Sequence, residues 1–129
     1  MSVTVDWIDS ETKTIIHFEY RDMWTWEDVF EQIEKSQQMM DTVSHKVATI
    51  IDLTHNSKLP SDAMNAIGKI FDRAIHPNDS TIIVFLNAQT LTKAMLDLIA
   101  IRDPDAVNFR EFVHAKTLDE AITKVNQLL

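Results

Sequence analysis

A chain of 129 residues, 45% hydrophobic and 25% charged, has the size and balance of one globular domain spanning residues 1–129. Twenty acidic against twelve basic residues leave a formal net charge of −8, which repels phosphate backbones and argues against nucleic-acid partners. The lack of cysteine excludes disulfides and thiolate chemistry, and a single glycine, Gly68, excludes glycine-rich phosphate loops.

The opening Met1-Ser2-Val3-Thr4-Val5-Asp6 has neither the basic region nor the apolar core of a signal peptide, and no run approaches the roughly 18–20 apolar residues of a membrane span. The expectation is a cytoplasmic protein without a membrane span. Val3–Trp7 alternates with period two, as Thr14–Phe18 does less cleanly, with the turn-like Asp9-Ser10-Glu11 between them. That pattern predicts an antiparallel hairpin whose wetter face carries His17. Thr25, three residues before Asp28, is placed to cap a helix from Trp26 to Asp41, with Trp26, Val29, Phe30, Ile33 and Met40 at helical spacing.

Val47–Leu53 and Thr81–Leu86 are nearly unbroken apolar, β-branched runs, as central strands covered on both faces require. Between them a helix from Ser61 to Ile75 is expected, capped by Ser61 and burying Ala63, Met64, Ile67, Phe71 and Ala74. His76-Pro77-Asn78-Asp79 ends it, and an imidazolium there would suit the negative helix terminus. Asn87 reads as the N-cap of a helix from Ala88 to Arg102, stopped by Asp103-Pro104-Asp105. Phe109–Val113 reads as a weaker strand. Thr117-Leu118-Asp119-Glu120 reads as a capping box for a last helix burying Leu118, Ala121, Ile122, Val125 and Leu128. The order ββαβαβαβα predicts an α/β domain with a mixed, mostly parallel sheet and crossover helices.

A strand that runs into a helix N-terminus offers a platform for an anion or a partner, because the first helical N–H groups lack intrahelical acceptors. Here that platform carries Asp52, Thr54, His55, Ser61 and Asp62. His55 with Asp52 and Asp62 would make a small acid–base group if the three converged; otherwise it is an exposed loop residue. The five histidines show no metal-ligand spacing, and no serine stands in a nucleophile elbow, so neither a metal nor a cofactor is expected. The segment after Asn87 holds more apolar residues than one buried stripe needs. Leu91, Met95 and Leu98 share a face, with Leu96 and Ile101 on its flanks. With Met23 and Trp24 they suggest a contact surface and a homodimer.

The central segment resembles the STAS domain, the sulfate-transporter and anti-sigma-factor-antagonist fold also called SpoIIAA-like. That family's strand ends Asp-Leu-Ser, and its helix opens Asp-Ser-Ser-Gly-Leu-Gly after a loop with one apolar position. Asp52-Leu53-Thr54 matches the strand end, Leu59 the apolar position, Ser61 the first serine and Met64 the leucine. The resemblance implies a single SpoIIAA-like domain and a non-enzymatic regulatory module that binds a regulatory protein or itself. Pro60, Ala63 and Asn65 depart from the pattern, and Asp62 stands where the family's antagonists carry their phosphorylated serine. The family's phosphoserine switch is therefore lost, and Asp62 either caps its helix electrostatically or imitates the phosphorylated state. The alternative is a binder of a lipid-like or anionic small molecule. Its apolar site would draw on Met39, Met40, Met64, Phe71, Phe85 or Trp26, with the headgroup near Ser61.

Overall fold

The hairpin that opens the chain is built on one side chain. Asp9 Oδ1 accepts from the N–H groups of Glu11 (2.8 Å) and Thr12 (3.4 Å), and Lys13 turns the chain with a left-handed φ of 51°. Strands β1 (Val3–Trp7) and β2 (Ile15–Tyr20) then pair antiparallel with Val5 opposite Phe18. The computed structural model describes residues 2–56, 58–102 and 110–129. Within them follow α1 (Trp26–Met40), β3 (Val47–Asp52), α2 (Ala63–Phe71), β4 (Asp79–Leu86), α3 (Thr90–Arg102), β5 (Glu111–Ala115) and α4 (Leu118–Leu128).

The five strands lie in the order β1-β2-β3-β4-β5, antiparallel at the first pair and parallel thereafter. The expected α/β architecture, with its mixed sheet and crossover helices, is the one observed. Successive crossovers step the same way across the sheet, so connections of one hand lay their helices on one face. Val29 and Met40 of α1, Ile67 and Phe71 of α2 and Leu96 of α3 share one core with Val5, Phe18, Ile83 and Phe85. The opposite face packs Ile50, Val84 and Leu86 against Ala121 and Val125 of α4. Ala48, Ile50 and Val84 are wholly buried, which is why these strands read as continuous apolar runs.

The helix ends depart from expectation in informative ways. Thr25 and Asp28 do form the reciprocal capping box of α1. At α4, Thr117 accepts from the Glu120 N–H, but the Glu120 carboxylate returns to the N–H of Lys116 instead. Ser61 does not cap α2. The N-cap is Asp62, left-handed at φ 67°, and the helix stops at Phe71, so Ala74 lies beyond it and is exposed; Met64, in the first turn of the helix, is 63% exposed rather than buried. His76 consequently lies beyond the helix. Its Nδ1 accepts from the Asn78 N–H and its Nε2 donates to Asp41 Oδ1 at 2.7 Å, a neutral ring rather than an imidazolium on a helix end. Asn87 does not cap α3; it takes φ 59°, and the helix begins at Thr90. The buried stripe of α3 runs through Thr92 and Leu96, one turn apart, while Leu98 is 52% exposed. The Asp103-Pro104-Asp105 breaker and Phe109 lie outside the described residues.

Candidate functional site

The carboxyl ends of β2, β3 and β4 stand side by side, and three connections leave from them: 21–25, 53–62 and 87–89. Strand parity decides what meets there. Ile16, Phe18 and Tyr20 point into the helix-covered core, so His17 and Glu19 point to the other face; on β3, Ala48, Ile50 and Asp52 share that face. Parallel register places Glu19 opposite Asp52 and His17 opposite Ile50. The result is a polar chain across three strands. His17 Nε2 donates to Asp52 Oδ2 at 2.9 Å, because a carboxylate only accepts. Asp52 Oδ1 receives the Thr54 N–H (3.0 Å) and the Thr54 hydroxyl (2.5 Å), and Asn87 Nδ2 donates to Thr54 Oγ1 at 2.8 Å. Glu19 Oε1 lies 3.7 Å from His17 Nδ1.

Burial pushes the Asp52 carboxyl up, but the two Thr54 hydrogen bonds and the His17 contact outweigh it and hold it below the ordinary carboxylate range. The side chains of His17 and Asp52 are only 13% and 11% exposed. This geometry ties β2, β3 and the β4–α3 turn together and leaves little room for a substrate atom. Sequence reasoning placed His17 on the wetter face but missed its bond to Asp52, and took Asn87 for a cap. The signal lay in the matched parity of His17, Glu19 and Asp52, which becomes legible only once β2 and β3 are known to be parallel neighbours.

The sequence-derived acid–base group does not assemble through hydrogen bonds. Asp52 is engaged by Thr54 and His17, Asp62 Oδ2 accepts from Asn65 Nδ2 at 3.1 Å, and His55 is an exposed loop side chain. Among the described residues no three His, Asp or Glu side chains gather as a metal site requires. The rim is instead an exposed ledge. Thr54, His55, Ser61 and Asp62 are all exposed, Met64 is 63% exposed, and Met23 on the neighbouring connection is 91% exposed. It is anchored from below. Leu59 packs on the core, Trp26 Nε1 donates to the Ser61 carbonyl at 2.9 Å, and Asn56 Nδ2 donates to the Asp22 carbonyl.

Two expected interface residues are corrected. Trp24 and Leu96 are each only 4% exposed: Trp24 packs on Tyr20 and Trp26, and Leu96 is the residue α3 inserts into the core. Met23 and Ile101 (77% exposed) do face outward. No described helix is long and apolar enough to cross a membrane. A cavity of about 120 Å³ lies below the ledge, between α1, α2 and the sheet, lined by Trp26, Met40, Phe71 and Phe85 but by neither Met39, Met64 nor Ser61. No protein-family model, no curated protein and no solved structure matches the chain.

Proposed function

We propose that this chain is a non-enzymatic, STAS-like regulatory module that docks a protein partner on the ledge formed by the 21–25 and 53–62 connections and the start of α2. The observation that carries the reading is the exposed Asp62, held left-handed by its turn and flanked by the exposed Met64, above a loop pinned by Leu59 and Trp26. A rigid ledge with a fixed charge and adaptable methionines suits recognition of a regulatory protein. In this reading Asp62 supplies a permanent negative charge where the resembled family toggles a phosphoserine, so binding is set constitutively. The Asp52–His17 pair acts as the clamp that positions the loop, with no catalytic duty.

A photo-crosslinking residue in place of His55 tests the assignment in cells of the native host. The expected result is one defined crosslinked protein, lost on Met64→Glu and altered in yield by Asp62→Ser, with both variants folded by circular dichroism. Crosslinking to the chain itself identifies a homodimer through the same ledge. Crosslinks indifferent to both substitutions overturn the reading.

A further inference from the structure

We infer that Met23 and Met64 form a site of reversible sulfoxidation by peroxides, and that oxidation there closes the ledge to its partner. The inference rests on the reading of the ledge as a docking surface and adds its regulation. With no cysteine in the chain, the methionine thioethers are its only sulfur open to oxidation. Exposure divides them sharply. Met40 is 4% exposed, and Met39 and Met95 pack against the core. Met23 and Met64, at 91% and 63%, are the described methionines that solvent reaches freely, and both stand on the ledge. Met23 lies three residues before Trp26 and Met64 three after Ser61, and the Trp26 indole donates to the Ser61 carbonyl at 2.9 Å. The two thioethers therefore flank one anchored seam.

The chemistry is an oxygen-atom transfer. Methionine Sδ attacks one peroxide oxygen, the O–O bond breaks, an S–O bond forms, and hydrogen peroxide leaves as water. Sulfur is oxidised by two electrons and the peroxide is reduced by two. A thiol-dependent sulfoxide reductase reverses the step, removing the oxygen as water while two thiols become a disulfide. Oxidation turns a flexible apolar side chain into a polar one, which disrupts contacts built on methionine. The exposed carboxylates beside these residues, Asp22 and Asp62, only accept hydrogen bonds, so they cannot satisfy the new sulfoxide oxygen. Carried into a contact that suits a thioether, that oxygen loses its water and gains no donor. The core does not take part, because its methionines are shielded. The modification therefore alters the ledge and leaves the fold intact.

Hydrogen peroxide added to the purified full chain, followed by peptide-resolved mass spectrometry, tests the site. Met23 and Met64 are expected to gain oxygen at least about tenfold faster than Met39, Met40 and Met95, with the melting transition unchanged. Equal rates at Met40, or loss of the fold as Met23 and Met64 react, overturns the proposal. The switch is read by the photo-crosslinker at position 55 in cells of the native host, as the ratio of crosslink yields with and without a peroxide pulse. That ratio should fall to about one-tenth in the otherwise unaltered chain, the cost of burying an unpaired polar group. It should recover after the pulse as reductases act. Met23→Leu with Met64→Leu removes the sulfur, and its ratio should stay near one whatever its basal yield. The two single variants supply the same ratio if the double variant does not fold. A ratio that stays near one in the unaltered chain, or that falls as far in the leucine variants, overturns the switch and leaves the ledge reading standing. No crosslinked protein even without peroxide overturns both.

Discussion

Asp52 shows how one side chain is made by competing effects. Burial opposes its charge, while the Thr54 hydroxyl, the Thr54 N–H and the His17 ring favour it, and the balance leaves its carboxyl below the ordinary range. A carboxyl lowered in the folded state binds fewer protons than its unfolded counterpart. Its stabilisation is therefore complete above the unfolded value of about 3.9 and is lost as pH falls through the folded value. Asp52→Asn is expected to cost about 1.5–3 kcal/mol at neutral pH, the range for hydrogen bonds to a charged group. The gap to wild type should close in urea titrations below pH 4, and a gap independent of pH would remove this account. Asp62 raises a different question, because it holds φ 67° with no capping bond from its side chain. A β-branched residue is strained there, so Asp62→Val should lose about 1–2 kcal/mol, with Asp62→Gly tolerated. Equal stability of the two variants would mean the turn relaxes. Neither feature was readable from the chain. His17 and Asp52 are 35 positions apart and meet only through strand register, and the Pro60-Ser61-Asp62 run resembles a helix start until Asp62 turns left-handed.

At the scale of elements, legibility followed how local the cause was. The Thr25–Asp28 box lies within four residues, and the structure forms it as expected. The runs Val47–Leu53 and Thr81–Leu86 announce central strands because burial on both faces leaves no polar alternation. Helix α3 was misread because its apolar residues surround the axis, so periodicity cannot choose the face that packs. The neighbours choose it, and they select Leu96. Leu96→Ala should accordingly cost about 2–5 kcal/mol through lost burial and a residual cavity. Leu98→Glu, two positions on and 52% exposed, should change stability by less than about 0.5 kcal/mol. Thermal denaturation of both variants checks the assignment. A large loss from Leu98→Glu would mean that this face is buried in solution by another copy of the chain, the homodimer that the sequence suggested.

The whole molecule is unevenly dressed. Among the described helices, α1, α2 and α3 share one core face, while α4 covers the other and packs on β4 and β5. That the units share one mixed sheet was legible; the strand order was not, because like-handed crossovers can step either way along a sheet, nor was the side α4 takes, because no strand follows it to constrain the connection. Stability should be graded across the sheet accordingly. Strands β3 and β4 are hydrogen-bonded along both edges, and their Ile50 and Val84 are fully buried. Strand β1 is bonded along one edge only and exposes Asp6. An edge strand opens by a smaller fluctuation than a central one, which exchanges only when the domain unfolds as a unit. Native-state hydrogen exchange should therefore find the Ile50 and Val84 amides at the global limit. The β1 amides that bond to β2 should exchange at least about a hundredfold faster, a difference near 3 kcal/mol in opening free energy. Uniform protection across the sheet would mean that β1 is docked on something this chain does not itself contain.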